Sequence, residues 1–282
     1  MYKLDGKRAV ITGAASGLGR SLATVLAAEG WKIGIVDIND AGSEETLGMV
    51  ERAGGTGEVY RCDVRDADQV MAMADHFFEA WGEVSLLINN AGIAAAGLVG
   101  DIEVSEWRRS VDVNLLGVVN GCHAFIPRMK SVGHGYIVNV ASAAGFVNLP
   151  EMGPYNVTKA AIISLSETLR TELSPYGIGV TVACPTFFNT NLLATMSCTD
   201  GFQDEFAHCA FSNSKVTSED IARNILRRAR RGRLYALPQF SAKWNWATKR
   251  YSPNTFYSVI SLMNRHGVGR PFLMWMARHG MV

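Results

Sequence analysis

The chain has 282 residues, 48% of them apolar and 19% charged, and a net charge of +1, so it can bury a large core. No internal repeat or low-complexity run interrupts it, and no stretch reaches the 18 consecutive apolar residues of a membrane-spanning helix. Five cysteines without a C-x-x-C pair and six scattered histidines point to free thiols in a reducing cytosol and to no metal site.

The segment Met1 to Gly6 precedes the first strand without an apolar run, so no signal peptide is expected. Arg8 to Thr12 is an apolar strand that leads into Gly13-Ala14-Ala15-Ser16-Gly17-Leu18-Gly19 and then an apolar-striped helix from Arg20. Strand, glycine turn and helix together let a backbone approach a pyrophosphate, whose charge is met by free N–H groups at the positive end of the helix. A second strand, Lys32 to Val36, ends in Asp37, eighteen residues beyond Gly19. A carboxylate there accepts hydrogen bonds from an adenosine ribose and repels a 2′-phosphate, which favours NAD over NADP. A helix-capping or turn acid is the alternative role for Asp37, and Arg20 is a positive charge within reach of a 2′-phosphate.

Further strands are read near residues 58 to 61, 84 to 89, 136 to 140, 179 to 184 and 234 to 237, with helices between most of them. The expected fold is therefore α/β, a doubly wound Rossmann-type parallel sheet of about seven strands with helices on both faces. After Pro154, an apolar stripe from Ala160 to Leu173 reads as a helix stopped by Pro175 and Gly177. Four residues apart on that helix, Tyr155 and Lys159 share a face, and Ser142 lies thirteen residues upstream of Tyr155. A phenol ionises near pH ~10, so a nearby ammonium and a hydroxyl donor are what would let it serve as a base near neutrality. An ordinary half-buried tyrosine beside a solvated lysine is the alternative for the pair alone.

With the G-x-x-x-G-x-G spacing, these residues make the chain resemble the short-chain dehydrogenase/reductase family from about Lys7 to Pro238. Cys62-Asp63-Val64, Asn89-Asn90-Ala91-Gly92, Val113 to Gly117 and Pro185 to Thr190 carry the rest of the likeness, while Thr186 departs from the family's glycine. The resemblance implies a catalytic set of Asn114, Ser142, Tyr155 and Lys159. It implies cofactor contacts from Gly13, Ser16, Gly17, Leu18, Gly19, Asp37, Asp63, Val64, Asn90, Phe188 and Thr190, with Tyr155 and Lys159 also touching the cofactor. In that reading Tyr155 is the acid-base group, Lys159 lowers its pKa, Ser142 orients the substrate oxygen and Asn114 holds a relay water. NAD is the expected cofactor, with NADP not excluded, and the expected assembly is a cytoplasmic homodimer or homotetramer.

Residues 186 to 215 are read as a substrate loop, apolar through Phe187, Phe188, Leu192, Leu193, Met196, Phe202, Phe206 and Phe211, with Phe146, Val147, Leu149 and Met152 nearby. His208 and Cys209 are assigned to a loop as well. Such a lining suits a lipid-like or steroid-like alcohol or ketone, though core packing accounts for part of it equally well. A 3-oxoacyl thioester reductase and a non-catalytic NAD(P)-binding regulator are the competing functions.

Residues 221 to 282 hold 12 basic residues and no acid, whereas residues 1 to 220 are acidic overall. Residues 1 to 238 are expected to form the catalytic domain and residues 239 to 282 an extension packed on or beside it. That extension reads as a lid or subunit arm, an interfacial membrane contact or a dock for an acidic carrier. It carries no nucleic-acid-binding module. In the membrane reading, Ser252 and Pro253 start a helix whose Phe256, Tyr257, Ile260 and Met263 lie in lipid.

Overall fold

In the computed structural model, which describes Leu4, residues 6 to 190, Leu192 and residues 196 to 281, seven strands form one parallel sheet. In chain order these are β1 (Arg8–Thr12), β2 (Lys32–Asp37), β3 (Thr56–Arg61), β4 (Leu86–Asn89), β6 (Gly135–Val140), β7 (Ile178–Ala183) and β9 (Tyr235–Ala236). Their spatial order is β3-β2-β1-β4-β6-β7-β9. β5 (Ala95–Ala96) and β8 (Ser197–Cys198) make a separate parallel pair that ties the segment after β4 to the segment after β7.

The central strands β4, β6 and β7 are buried along their whole length because both faces are covered, as parallel sheets require, while the edge strand β3 is more polar and partly exposed. Successive side chains point to opposite faces. Thus Val10, Leu87 and Ile137 join the core on one face, while Ile11, Ile88 and Val138 join the core on the other. The first core holds Phe77 of α3 (Ala67–Trp81) and Phe125 of α5 (Gly117–Val132). Leu22 and Leu26 of α1 (Gly17–Ala27), Val50 of α2 (Asp40–Arg52) and Ile225 of α9 (Ser218–Arg230) fill the second. Strand order reverses at β1, so a crevice opens beyond the carboxyl ends of β1 and β4, where such sheets bind ligands.

All seven strands read from the sequence are present, with ends displaced by two residues or fewer. Two assignments change. The segment 186 to 215 is not one loop, because α8 (Gly201–Ser212) starts inside it with a capping box in which Asp200 and Gln203 exchange hydrogen bonds. His208 and Cys209 therefore lie on a helix. A five-residue π-helical turn, Asp112 to Leu116, sits between α4 (Val104–Val111) and α5.

Residues 239 to 281 continue as α10 (Phe240–Tyr251), α11 (Pro253–Arg265) and α12 (Gly269–Arg278). α12 packs on α8 through Met274 and Ala277 against Phe206 and Ala210. The Arg270 guanidinium bridges Glu151 (2.8 Å) and Asp200 (2.7 Å), so one cation of the extension is held by two acids of the body. Among the described residues no helix is long and apolar enough to cross a membrane.

Candidate active site

The helix carrying Tyr155 and Lys159 is α7 (Gly153–Glu172), opened by Pro154 in its first turn, where a missing N–H costs nothing. One helical turn separates the two side chains, and Lys159 Nζ lies 5.6 Å from the Tyr155 ring centroid. Lys159 is 3% exposed, and its ammonium donates to the Val140 carbonyl at the end of β6 (2.9 Å). The short helix α6 (Ala144–Val147) presses on α7 close enough that a Cβ on Gly145 would meet the Lys159 backbone at 2.7 Å. Ser142 is held in the turn after β6, donating to the Pro185 carbonyl (3.3 Å) and accepting from the Ala144 amide (3.2 Å).

Asn114 sits in the π-helical turn, a distortion often found at functional sites. Fully buried, it accepts from the Ile93 amide (2.8 Å) and donates to the Ile93 carbonyl (3.0 Å) and Thr158 Oγ1 (3.2 Å). A Cβ on Gly92 would lie 3.1 Å from Asn114 Oδ1 and 3.4 Å from Lys159 Nζ, so both side chains flank one point of the chain.

Burial dominates the electrostatics. It pushes the Tyr155 phenol up to about 12, against the opposing hydrogen bond from Ser142. It also pulls the Lys159 ammonium down to about 8, partly offset by the adjacent Cys184 thiol. The expectation that Lys159 lowers the Tyr155 pKa finds no support in this geometry: Tyr155 is half-buried and Lys159 buried at the cavity wall, and burial drives each toward its neutral form.

Across β4 in the sheet, the glycine turn after β1 is built by close packing. Gly13 has φ +66°, and a Cβ there would strike Ala91 Cα at 2.7 Å; one on Gly19 would sit 2.1 Å from the Gly13 carbonyl oxygen. Asn90 Nδ2 donates to the Thr12 and Gly13 carbonyls, while Thr12 Oγ1 accepts from the Asn90 and Ala91 amides. These bonds fix the turn against the end of β4. Ser16 makes no side-chain cap, so the amides of Gly17, Leu18 and Gly19 lack an intrahelical acceptor and face the crevice side of α1 as an anion site.

Asp37 ends β2 and accepts from the Ala15 amide (3.0 Å) and the Asn39 amide (3.0 Å), one bond to each carboxylate oxygen. Arg20 turns away from it toward α2, donating to Thr46 Oγ1 (3.0 Å) and Glu45 Oε2 (2.7 Å) and to the Ala15 carbonyl. The Asp63 carboxylate is held below its ordinary range by its hydrogen bonds with Arg65, which offset partial burial.

A cavity of about 1580 Å³ joins these parts. That exceeds the usual ≈ 300–1,000 Å³ of a single small-ligand pocket, leaving room for a dinucleotide and a second molecule. Gly13, Ser16, Gly17, Leu18, Asp37, Asp63, Val64, Asn90, Ser142, Tyr155, Lys159, Phe188 and Thr190 all border it. Gly19 and Asn114 stand behind its wall and shape it indirectly. Phe187, Leu192, Met196, Phe211, Val147, Leu149 and Met152 line the expected substrate side. Phe202 and Phe206 instead pack with Met274 and Ala277, and Phe146 belongs to the main core. Leu193 lies outside the described residues.

The extension closes the cavity. Phe256, Ile260 and Met263 of α11 line it, and the Tyr257 hydroxyl donates to the Val147 carbonyl (3.1 Å). The stripe assigned to lipid from its spacing thus turns inward, since an apolar helical face satisfies a pocket as well as a bilayer. A contribution that the sequence does not signal comes from Gln239, just before α10. Its side chain accepts from the Thr186 amide (3.0 Å) and donates to the Phe187 carbonyl (3.2 Å). Thr186, the departure from the family pattern, faces Ser241 Oγ at 3.4 Å.

A family model described as short chain dehydrogenase matches residues 7 to 201. The chain is 41% identical over 186 residues to the probable oxidoreductase EphD of Mycobacterium bovis, a stretch that is 66% of this chain and 31% of that protein. It thus spans about a third of that relative's length. SadH of Mycobacterium tuberculosis is 32% identical over 248 residues, covering 86% of this chain and 90% of SadH. A solved short-chain dehydrogenase/reductase from Burkholderia phymatum, in complex with NAD, superimposes with a TM-score of 0.85 at 31% identity, covering 90% of this chain and 96% of that one. By sheet order, crevice and sequence alike, the chain belongs to the short-chain dehydrogenase/reductase family.

Proposed function

We propose that the chain is an NAD(H)-dependent oxidoreductase that interconverts an apolar secondary alcohol and its ketone. The observation that carries this is one cavity in which Ser142, Tyr155 and Lys159 meet an apolar wall at one end and the glycine turn with Asp37 at the other. The residues fit a dinucleotide: the uncapped amides of α1 would hold its pyrophosphate and Asp37 its adenosine ribose. When bound, the nicotinamide accepts or gives the hydride.

Tyr155 holds a proton on its phenol oxygen at neutral pH, as burial dictates, and is the acid for ketone reduction. In alcohol oxidation the phenol first passes its proton to the neutral amine of Lys159, and the phenolate oxygen then takes the hydroxyl proton. Ser142, fixed by Pro185 and Ala144, orients the substrate oxygen and stabilises charge developing on it. With its pKa near 8, Lys159 gains and loses a proton readily, which suits a group that resupplies Tyr155. Asn114 positions the Ile93 backbone and Thr158 beside that lysine. The wall from Phe187 to Phe211, with α11 opposite, selects a lipid-like or steroid-like substrate and keeps water from the reacting carbon. Oxidation of a panel of steroid, fatty and aromatic alcohols, followed by reduced nicotinamide absorbance, tests the reading; turnover confined to polyols would overturn it.

NAD(H) should be preferred over NADP(H) by about tenfold or more in kcat/KM, because Asp37 lies in the cavity while Arg20 is engaged by Glu45 and Thr46. Asp37→Ala should erase most of that preference. A parent enzyme that favours NADPH contradicts the assignment.

Gln239 offers a second check. Gln239→Leu leaves the Thr186 amide without its acceptor, an expected loss of about 1–3 kcal/mol in the segment Pro185 to Thr190, which by family resemblance would lie over the nicotinamide. Cofactor KM should rise roughly fivefold to a hundredfold, with kcat changing far less. Equal loss in kcat and no change in KM would show that the loop is held by other means.

A further inference from the structure

Five residues of the extension, Trp244, Tyr251, Val259, Phe272 and Met281, line the cavity and are also exposed, from 44% for Phe272 to 90% for Tyr251. Residues that do both mark a mouth, so the substrate side opens between α10, α11 and α12. The apolar surface continues outward from it. Leu262 follows Val259 on α11, and Trp275 stacks on Phe272 with ring centroids 6.1 Å apart. Half of the large exposed apolar side chains among the described residues, nine of eighteen, lie between Phe240 and Met281.

Charge accompanies them. From Phe240 onward the chain carries six basic residues and no acid. Arg270 and Arg278 pair with acids of the body and Lys249 turns inward to Asn148 Oδ1 (3.2 Å), whereas the exposed Lys243, Arg250 and Arg265 form no ion pair with an acid among the described residues. Lys243 neighbours Trp244, Arg250 lies over the Trp246 ring at 5.1 Å, and Arg265 is one turn beyond Leu262. Exposed tryptophan and tyrosine interleaved with unpaired cations match the boundary between water and an anionic bilayer. Among the described residues no helix is long and apolar enough to cross a membrane, and the contact argued for is interfacial.

We infer that the outer face of α10, α11 and α12 docks on an anionic lipid surface, with the cavity mouth against the bilayer, so that apolar substrate enters from lipid. The docking partner is the lipid surface itself; substrate transfer rests on the proposed apolar specificity, and the two are separable by experiment.

The probe is vesicles of phosphatidylglycerol and phosphatidylcholine in equal parts, against vesicles of phosphatidylcholine alone, with the full chain. Co-sedimentation should require the anionic lipid and fall at least tenfold on going from low to high salt. Brominated acyl chains should quench tryptophan fluorescence, since Trp244 and Trp275 lie on the docking face. Lys243→Glu with Arg265→Glu, and separately Leu262→Ser with Trp275→Ser, should each abolish sedimentation. None of these four lines the cavity, so turnover of a dissolved alcohol should persist. A full chain that stays in the supernatant with anionic vesicles at low salt overturns the docking. So does equal, salt-independent binding to both vesicles, or a smaller solution mass of the Leu262→Ser/Trp275→Ser variant without lipid, which would make the face a subunit contact. Sedimentation without turnover of any apolar alcohol would leave docking in place and remove the proposed substrate class.

Discussion

Tyr155→Phe should lower kcat for any substrate the parent turns over by at least about a hundredfold, the lower limit of what a positioned acid-base group supplies. Only the phenol oxygen is removed, so cofactor affinity should stay within about threefold on that same reasoning, because the glycine turn and Asp37 are untouched. Stability should move by no more than about 1 kcal/mol, since one hydrogen bond with Ser142 is lost and a costly buried hydroxyl goes with it. Stopped-flow or steady-state kinetics with a fluorescence titration of the reduced cofactor separates these effects. Turnover within about tenfold of the parent would assign the proton transfer to another group.

Lys159→Met should abolish activity and make the protein more stable. A lysine held at about 8 instead of its ordinary 10.5 carries a folded-state cost of about 3 kcal/mol when charged. Methionine has similar length and no charge to bury, while the Val140 carbonyl loses its donor at about 1 kcal/mol. The net gain at neutral pH should be about 2 kcal/mol. Its pH dependence identifies the cause. The unfolded chain keeps the lysine proton up to about 10.5 and the folded chain releases it near 8, so the unfolded state binds more protons between those values. The parent's stability therefore rises with pH through that window, and the variant's advantage, complete below about pH 8, should vanish by about pH 10.5. Urea unfolding at pH 7 and pH 10 measures both ends. A variant less stable than its parent at pH 7 would mean that Lys159 stabilises the fold through its bond to Val140.

The sheet was legible because its signals are local and redundant: apolar runs of strand length, a glycine turn, and prolines that bound α7. The candidate site was legible as a set of residues for the same reason, and the cavity gathers most of them. What the residues do to one another was less so. Spacing placed Lys159 beside Tyr155 but gave no measure of burial, and burial decides the direction in which both titrate. Periodicity found α11 and its Phe256, Ile260 and Met263 face, yet an amphipathic stripe does not say whether lipid, core or cavity receives it. α8 was hidden within a run of aromatics that reads equally well as a loop, although Asp200 and Gln203 form the spacing of a capping box. The strands β5 and β8 are two residues each and form only because the segments after β4 and β7 are brought together by the fold.

Gln239 has a consequence for how such chains diverge. A residue of the added helical segment holds the backbone of a loop some fifty positions earlier, and Ser241 faces the hydroxyl that replaces the family's glycine. Grafting the three terminal helices onto a shorter relative would transplant the apolar wall but leave the glutamine facing a loop shaped for other neighbours. Thr186, Gln239 and Ser241 would have to be moved together, so the terminal helices and the segment Pro185 to Thr190 act as one coupled unit and not as interchangeable parts.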